Sequence, residues 1–224
     1  TDLIVAYTVD ENGNKIIIPM SRYEDGMVYF TPVSSGSVSI MYDDVVFNDT
    51  VGHWMDEDVC YLAARGIVTG TGNKMFTPQA NVKRADFVVM LVRLMGIPAA
   101  GGENFADVKP GSYYEAELAA AKALGIISGI GENMFDPEGE ISRQDMFVML
   151  YRALQAYAEF QWTEGAAKQF KDYSEVSAYA LDSMDSFVQA GMIQGDNGYL
   201  RPASTATRAE AATVLRNMIN YLSR

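Results

Sequence analysis

The sequence predicts a mainly α-helical protein: three helix–loop–helix repeats closed into a pseudo-threefold helical bundle, preceded by a small β segment. Three observations predict it. Strand-forming runs are confined to residues 1–42. From residue 43 onward apolar residues recur at helical spacing instead. Residues 43–224 also repeat one pattern three times in register.

The β segment comes first. Leu3 to Val9 is rich in β-branched and aromatic residues, and Asn12-Gly13 inside the following polar stretch is a strong hairpin signal. Lys15 to Ile18 reads as the returning strand, and Met27–Phe30 and Ser37–Met41 as two more. Four short strands are too few for an independent core. The segment 1–42 therefore reads as the end of an upstream β-sandwich-like domain, or as a small sheet leaning on the helical region. The start at Thr1 fits a mature product or a piece of a longer protein.

The repeats emerge when three segments are aligned. Phe47-Asn48-Asp49, Phe105-Ala106-Asp107 and Phe170-Lys171-Asp172 open them, and Trp54, Tyr113 and Tyr179 follow. Twelve residues after each aromatic stands Gly66, Gly125 or Gly191, and four later Gly70, Gly129 or Gly195. Then come Pro78, Pro137 and Pro202, and six residues past each Pro an Arg: Arg84, Arg143 and Arg208. Two beyond each Arg is an acid, Asp86, Asp145 or Glu210. The repeat domains run over 43–104, 105–169 and 170–224.

Each repeat has one physical logic. A first helix runs from the aromatic to the Gly that ends it in the left-handed conformation. Gly, Asn and Pro build a tight loop, pinned by an aromatic such as Phe76 or Phe135. A second helix then starts at a capping box in Ser142-Arg-Gln-Asp145 and Thr207-Arg-Ala-Glu210. Lys83 replaces the hydroxyl in the first repeat, so that start is expected to be weaker by about 1 kcal/mol, unless Asn81 begins the helix earlier. One helix pair leaves its apolar stripe exposed, whereas three close on each other. A linear stack is the alternative to closure.

Composition excludes several function classes. Of 224 residues 49% are hydrophobic, enough for a packed core, and the net charge of −12 argues against nucleic acid as a partner. No apolar run is long enough to cross a membrane, so membrane insertion is not expected. Cys60 has no partner for an internal disulfide, and His53 is the one His, which leaves no His-rich metal cluster and no metal or cofactor site. The acidic clusters Asp43-Asp44, Asp56-Glu57-Asp58 and Asp182 with Asp185 lack the spacing of a calcium loop. No nucleophile elbow or phosphate loop is present, so no catalytic residue is assigned and the chain is read as a non-enzyme.

The pattern Phe-x-Asp, Trp or Tyr, Gly-Ile-x-x-Gly, a Gly-rich turn and Thr-Arg-Ala-Glu resembles the S-layer homology domain, which occurs as three tandem repeats. Thr207-Arg208-Ala209-Glu210 matches the hallmark fully, while Lys83-Arg84-Ala85-Asp86 and Ser142-Arg143-Gln144-Asp145 are looser. The resemblance implies a secreted module at the bacterial cell surface, within a cell wall or S-layer. Its expected role is non-covalent anchoring by binding a secondary cell wall polysaccharide, pyruvylated in the usual case, in grooves between repeats. Modified peptidoglycan is the corresponding partner in outer-membraned bacteria. The alternative is protein–protein assembly with other surface-layer proteins. Carried over by register, the ligand-binding residues are Arg84, Arg143 and Arg208, Asp49, Asp107 and Asp172, Trp54, Tyr113 and Tyr179, and the loop glycines Gly70, Gly129 and Gly195.

The chemistry stands beside the resemblance. An Arg in the first turn of a helix is expected near free backbone N–H groups and pairs bidentately with a carboxylate. An aromatic ring stacks on a sugar face, and an Asp accepts from hydroxyls. The same Arg residues can serve inter-repeat pairing instead, the same Asp residues can cap the first helix or its preceding turn, and the glycines serve turn geometry first.

Overall fold

The computed structural model describes residues 3–30, 37–99, 101–157 and 166–222. Among these residues five strands precede six α-helices, so the protein is mainly α with a leading β segment, as the sequence predicts. Strand β1 (Ile4–Val9) pairs antiparallel with β2 (Lys15–Ile17) and with β5 (Ser39–Tyr42), giving the order β2-β1-β5. The predicted Asn-Gly turn joins β1 to β2. Asp10 holds it by accepting from the Asn12 and Asn14 N–H groups at 2.9 and 2.7 Å, and Gly13 takes φ +83°. A second hairpin, β3 (Arg22–Glu24) and β4 (Met27–Tyr29), turns on Asp25 and Gly26 with φ of 50° and 82°. Strand β3 is not predicted by the sequence pattern, being short and charged, but Asp-Gly is the dipeptide that such a turn demands.

The described chain divides into two units. The first comprises Thr1–Ala80, Val92–Ile97 and Arg208–Arg224, the second Asn81–Leu91 and Pro98–Thr207. In the first, helix α1 (Asp56–Ala64) packs against α6 (Arg208–Leu222), a contact between first and last helix that a linear stack would not make. Thr213 donates to Asp58 Oδ2 across this pair at 2.9 Å, and the Tyr61 ring lies between the Arg65 and Arg216 guanidinium groups, each 3.4 Å from its centroid. Arg65, 2% exposed, ties the sheet to the helix: it donates to the Ser21, Ile4 and Tyr61 carbonyls. A buried cation is tolerated where carbonyls and an aromatic face replace its water.

The second unit is organised about a ring of three backbone hydrogen bonds, one residue from each repeat. The Val82 N–H donates to Ala206 O, the Ala206 N–H to Ile141 O, and the Ile141 N–H to Val82 O, at 2.9, 3.0 and 2.9 Å. All three residues are fully buried. Closure therefore begins in the extended residues just before each second helix. Helix α2 (Arg84–Leu94) starts in this unit; α3 (Glu115–Ala123), α4 (Arg143–Tyr157) and α5 (Leu181–Gln189) follow, with α4 packed on α5 and the Phe147 and Phe187 rings 5.3 Å apart. Asn81 does not start α2 early; it bridges to Thr207. Across the two units Gly66, Gly125 and Gly191 end the first helices at φ of 66°, 70° and 71°, the left-handed caps expected of them.

Candidate functional site

Each second helix begins by gripping the loop of another repeat. The Arg84 and Ala85 N–H groups donate to Gly139 O and Pro137 O, those of Arg143 and Gln144 to Ser204 O and Pro202 O, and those of Arg208 and Ala209 to Ala80 O and Pro78 O. The expectation of free N–H groups beside the three Arg residues is thus overturned: these orphan donors of the first turn are consumed by Pro-turn carbonyls. Lys83, lacking a hydroxyl cap to offer, reaches Glu138 at 2.7 Å instead.

The guanidinium groups act on the same loops. Arg84 Nε donates to Phe135 O at 2.9 Å, Arg143 Nε to Leu200 O at 3.0 Å and Arg208 Nε to Phe76 O at 2.8 Å. Arg84 and Arg208 also lie over the Phe135 and Phe76 rings, and both are buried.

The opening Asp residues hold those loop residues from the other side. Asp49 accepts the Phe76 and Thr77 N–H groups at 2.8 and 2.7 Å, Asp107 those of Phe135 and Asp136, and Asp172 those of Leu200 and Arg201 at 2.8 and 2.7 Å. The second residue of each pair is left-handed, with φ of 54° at Thr77, 58° at Asp136 and 53° at Arg201. The carboxylate clamps a strained turn rather than capping the first helix, whose starts at Asp56, Glu115 and Leu181 have no side-chain cap. At Asp49 burial works to raise the pKa, but backbone N–H donors, those of Phe76 and Thr77 first, together with the Arg208 charge hold the carboxyl below its ordinary value.

The loop glycines answer to packing. A Cβ on Gly129 would lie 2.5 Å from Met134 O and 3.1 Å from the Phe105 ring, and one on Gly70 2.7 Å from Met75 O and from the Phe47 ring. Gly195 meets Phe170 and Tyr199 in the same way. Each opening Phe thus lies against the bare face of its loop glycine.

The aromatics are the residues that face outward: Trp54, Tyr113 and Tyr179 are 65%, 61% and 57% exposed. Tyr179 donates to Asp145 Oδ1 at 2.7 Å, while Arg84 Nη1 meets Asp145 Oδ2 at 3.0 Å. Burial first and then this bond to a carboxylate push the Tyr179 hydroxyl up to about 12. Tyr113 donates to Asp86 in a short hydrogen bond and is raised for the same two reasons. Beside the Arg84–Asp145–Tyr179 triad lies a groove of about 400 Å³, in the range of small-molecule sites. Its other walls are the Ser128–Gly129–Ile130 loop and Val148, Met149 and Arg152 of α4. A second hollow of about 330 Å³ adjoins Tyr113, and Gly101, Gly102 and Ala119 are among its lining residues.

The family model for the S-layer homology domain matches residues 46–88, 104–147 and 169–212. The chain belongs to the S-layer homology domain family. It is 30% identical to the exoglucanase XynX of Acetivibrio thermocellus over 94% of its own length and 20% of that protein's. It is 30% identical to an amylopullulanase of Thermoanaerobacterium thermosulfurigenes over 87% of the chain and 10% of the relative. The S-layer protein sap of Bacillus anthracis is 30% identical over 71% and 19%. The chain thus spans about a tenth to a fifth of the length of these relatives, and the enzyme names belong to them. Membership makes the chain a cell-surface anchoring module.

Within the S-layer homology repeats, the structure unites Arg84 and Tyr179 at one groove with Gly129, and places Asp49, Asp107 and Asp172 behind the loops. Sequence reasoning passes over Asp86 and Asp145 as site residues, although both stand in register two residues after the hallmark Arg. It also passes over Arg152, whose signal is the same register: nine residues past the hallmark Arg stand Arg93, Arg152 and Asn217. Among the described residues no cluster of three His, Cys, Asp or Glu side chains could hold a metal ion, and no helix is long and apolar enough to cross a membrane.

Proposed function

We propose that these repeats attach a surface protein non-covalently to the bacterial cell envelope by holding an acidic wall polysaccharide, a pyruvylated secondary cell wall polymer, in grooves such as the one beside Tyr179. The single observation that carries this reading is the exposed Tyr179 ring, fixed by Asp145 and Arg84 at the mouth of a 400 Å³ groove. A ring held by its hydroxyl presents a rigid face to the apolar side of a pyranose, and the polar groups around it suit hydroxyls and a carboxylate. The chain's charge of −12 opposes approach of an anionic polymer over long range, but salt screens that repulsion within about 10 Å, and the local pocket decides binding. Asp49, Asp107 and Asp172 serve the site by holding the loops, and Gly70, Gly129 and Gly195 by letting the opening Phe residues seat against them.

The test is co-sedimentation with walls from a bacterium whose wall polymer carries pyruvate ketals, before and after mild acid removes the ketals. Binding is expected to untreated walls and to be lost with the ketals. A chain that remains in the supernatant with untreated walls would refute the reading and direct attention to protein partners.

A further inference from the structure

The groove beside Tyr179 contains two arginines, and they are not equivalent. Arg84 has an 8% exposed side chain and is spent on Phe135 O and Asp145. Asp145 neutralises it and takes the Tyr179 hydroxyl as well, so the triad presents no net charge to a ligand. The second cation, Arg152, lies further along α4. Asp145, Val148, Met149 and Arg152 stand at i, i+3, i+4 and i+7 of that helix, one continuous stripe about 10 Å long that lines the groove. Arg152 Nη1 donates to Ser128 Oγ at 2.8 Å, a neutral partner that fixes the guanidinium against the Gly129 loop. Among the described residues no carboxylate pairs with Arg152, and none accepts from its remaining donors. Among the described lining residues the charges of Arg84 and Asp145 cancel, and the one net positive charge resides on Arg152.

We infer that Arg152, rather than the hallmark Arg84, receives the acidic group of the ligand in this groove, with the sugar ring laid on Tyr179. The inference rests on the glycan reading above and assigns the anion contact within it. A guanidinium with a neutral anchor keeps its fork available for a carboxylate, whereas one already bound to an aspartate must first give up that partner. The assignment also separates the repeats. At this register the first offers Arg93 and the third Asn217, an amide with no charge to give. Anion preference is thus a property of particular repeats and not of the shared motif.

The experiment titrates the whole chain by calorimetry with a methyl hexopyranoside carrying a 4,6-pyruvate ketal, and with the methyl ester of the same ketal. The wild type is expected to prefer the acid. Arg152→Gln is expected to weaken the acid about 10- to 100-fold, the loss of a hydrogen-bonded charge contact, and to leave the ester almost unchanged. Arg152→Lys should recover part of the loss, and melting of both variants should stay close to wild type. Equal binding by Arg152→Gln and wild type would overturn the assignment alone. An equal loss for acid and ester would also overturn it, since that marks a structural role. A wild-type chain that binds neither the probe nor pyruvylated walls would overturn the glycan reading and this assignment together.

Discussion

Replacing Asp49 by Ala tests whether the opening acid is a clamp. The carboxylate accepts two backbone N–H groups, from Phe76 at 2.8 Å and Thr77 at 2.7 Å, and Phe76 is fully buried. A hydrogen bond to a charged acceptor is worth about 1.5–3 kcal/mol, and a stranded buried donor costs about 1–3 kcal/mol. Asp49 and Thr77 are both part-exposed, so the two bonds do not add in full; about 2–3 kcal/mol is the expected loss. Thr77 at φ 54° adds pressure to relax, because a β-branched residue is strained there. For a chain of this size the melting midpoint should fall by about 5–10 °C. The sign with pH follows from the lowered folded-state pKa. The stabilisation is complete above the unfolded carboxyl value of 3.8 and disappears as pH falls through the folded value. Asp49→Asn should therefore lie well below wild type at pH 7 and converge on it toward pH 3. Thermal melts followed by circular dichroism across pH 3–7 would measure both effects. An Asp49→Ala chain that melts with wild type at pH 7, yet fails to bind walls, would refute the clamp and make Asp49 a ligand contact.

Three further outcomes are expected. Tyr179→Phe keeps the ring and loses the bond to Asp145, so wall binding should persist in weakened form, whereas Tyr179→Ala should lose about 1–2 kcal/mol of affinity with the apolar platform, read by co-sedimentation. Arg65→Ala strands the Ser21 and Ile4 carbonyls, and should destabilise by about 2–4 kcal/mol and speed hydrogen exchange of the β1 amides. Burial and then the Asp56 charge push the Cys60 thiol up to about 11, so its reaction with a disulfide reagent should be slow at pH 8 and accelerate steeply toward pH 11.

The repeat register made the fold legible because each of its positions has a local cause. Gly66, Gly125 and Gly191 end helices, Ser142 caps the Asp145 N–H at 3.2 Å, and the Asn-Gly turn pairs β1 with β2. The site was legible as positions and not as partners. Arg84 finds Phe135 O across 51 residues, Arg143 finds Leu200 O across 57 and Arg208 finds Phe76 O across 132, and no local pattern encodes such pairings. For the same reason the local reading of Asp49, as a cap of the first helix or of the turn before it, misses that it reaches forward 27 residues to a loop. The extended ring of Val82, Ile141 and Ala206 carries no motif, since backbone groups make its bonds and any apolar residue fits.

A motif repeated three times is under one constraint in all three places, and the constraint visible in these repeats is assembly. The hallmark Arg reads a carbonyl, the opening Asp reads two amides, and the loop Gly admits a Phe ring; each bond fixes the same short turn. A turn held on both sides positions what lies next to it, so on the proposed reading the groove gains rigid walls while its charged contact, Arg152, lies outside the shared motif. Discrimination then falls to positions where the repeats differ. Trp54 has no hydroxyl with which to repeat the bonds that Tyr113 and Tyr179 make to Asp86 and Asp145. Arg152 rests on Ser128, and the corresponding residues of the third repeat are Asn217 and Gln194. On the proposed reading, grooves built on one scaffold with unlike side chains should differ in affinity and in preferred charge. On the glycan reading proposed above, an acidic module grips an acidic polymer through one locally cationic groove, the one that Arg152 lines.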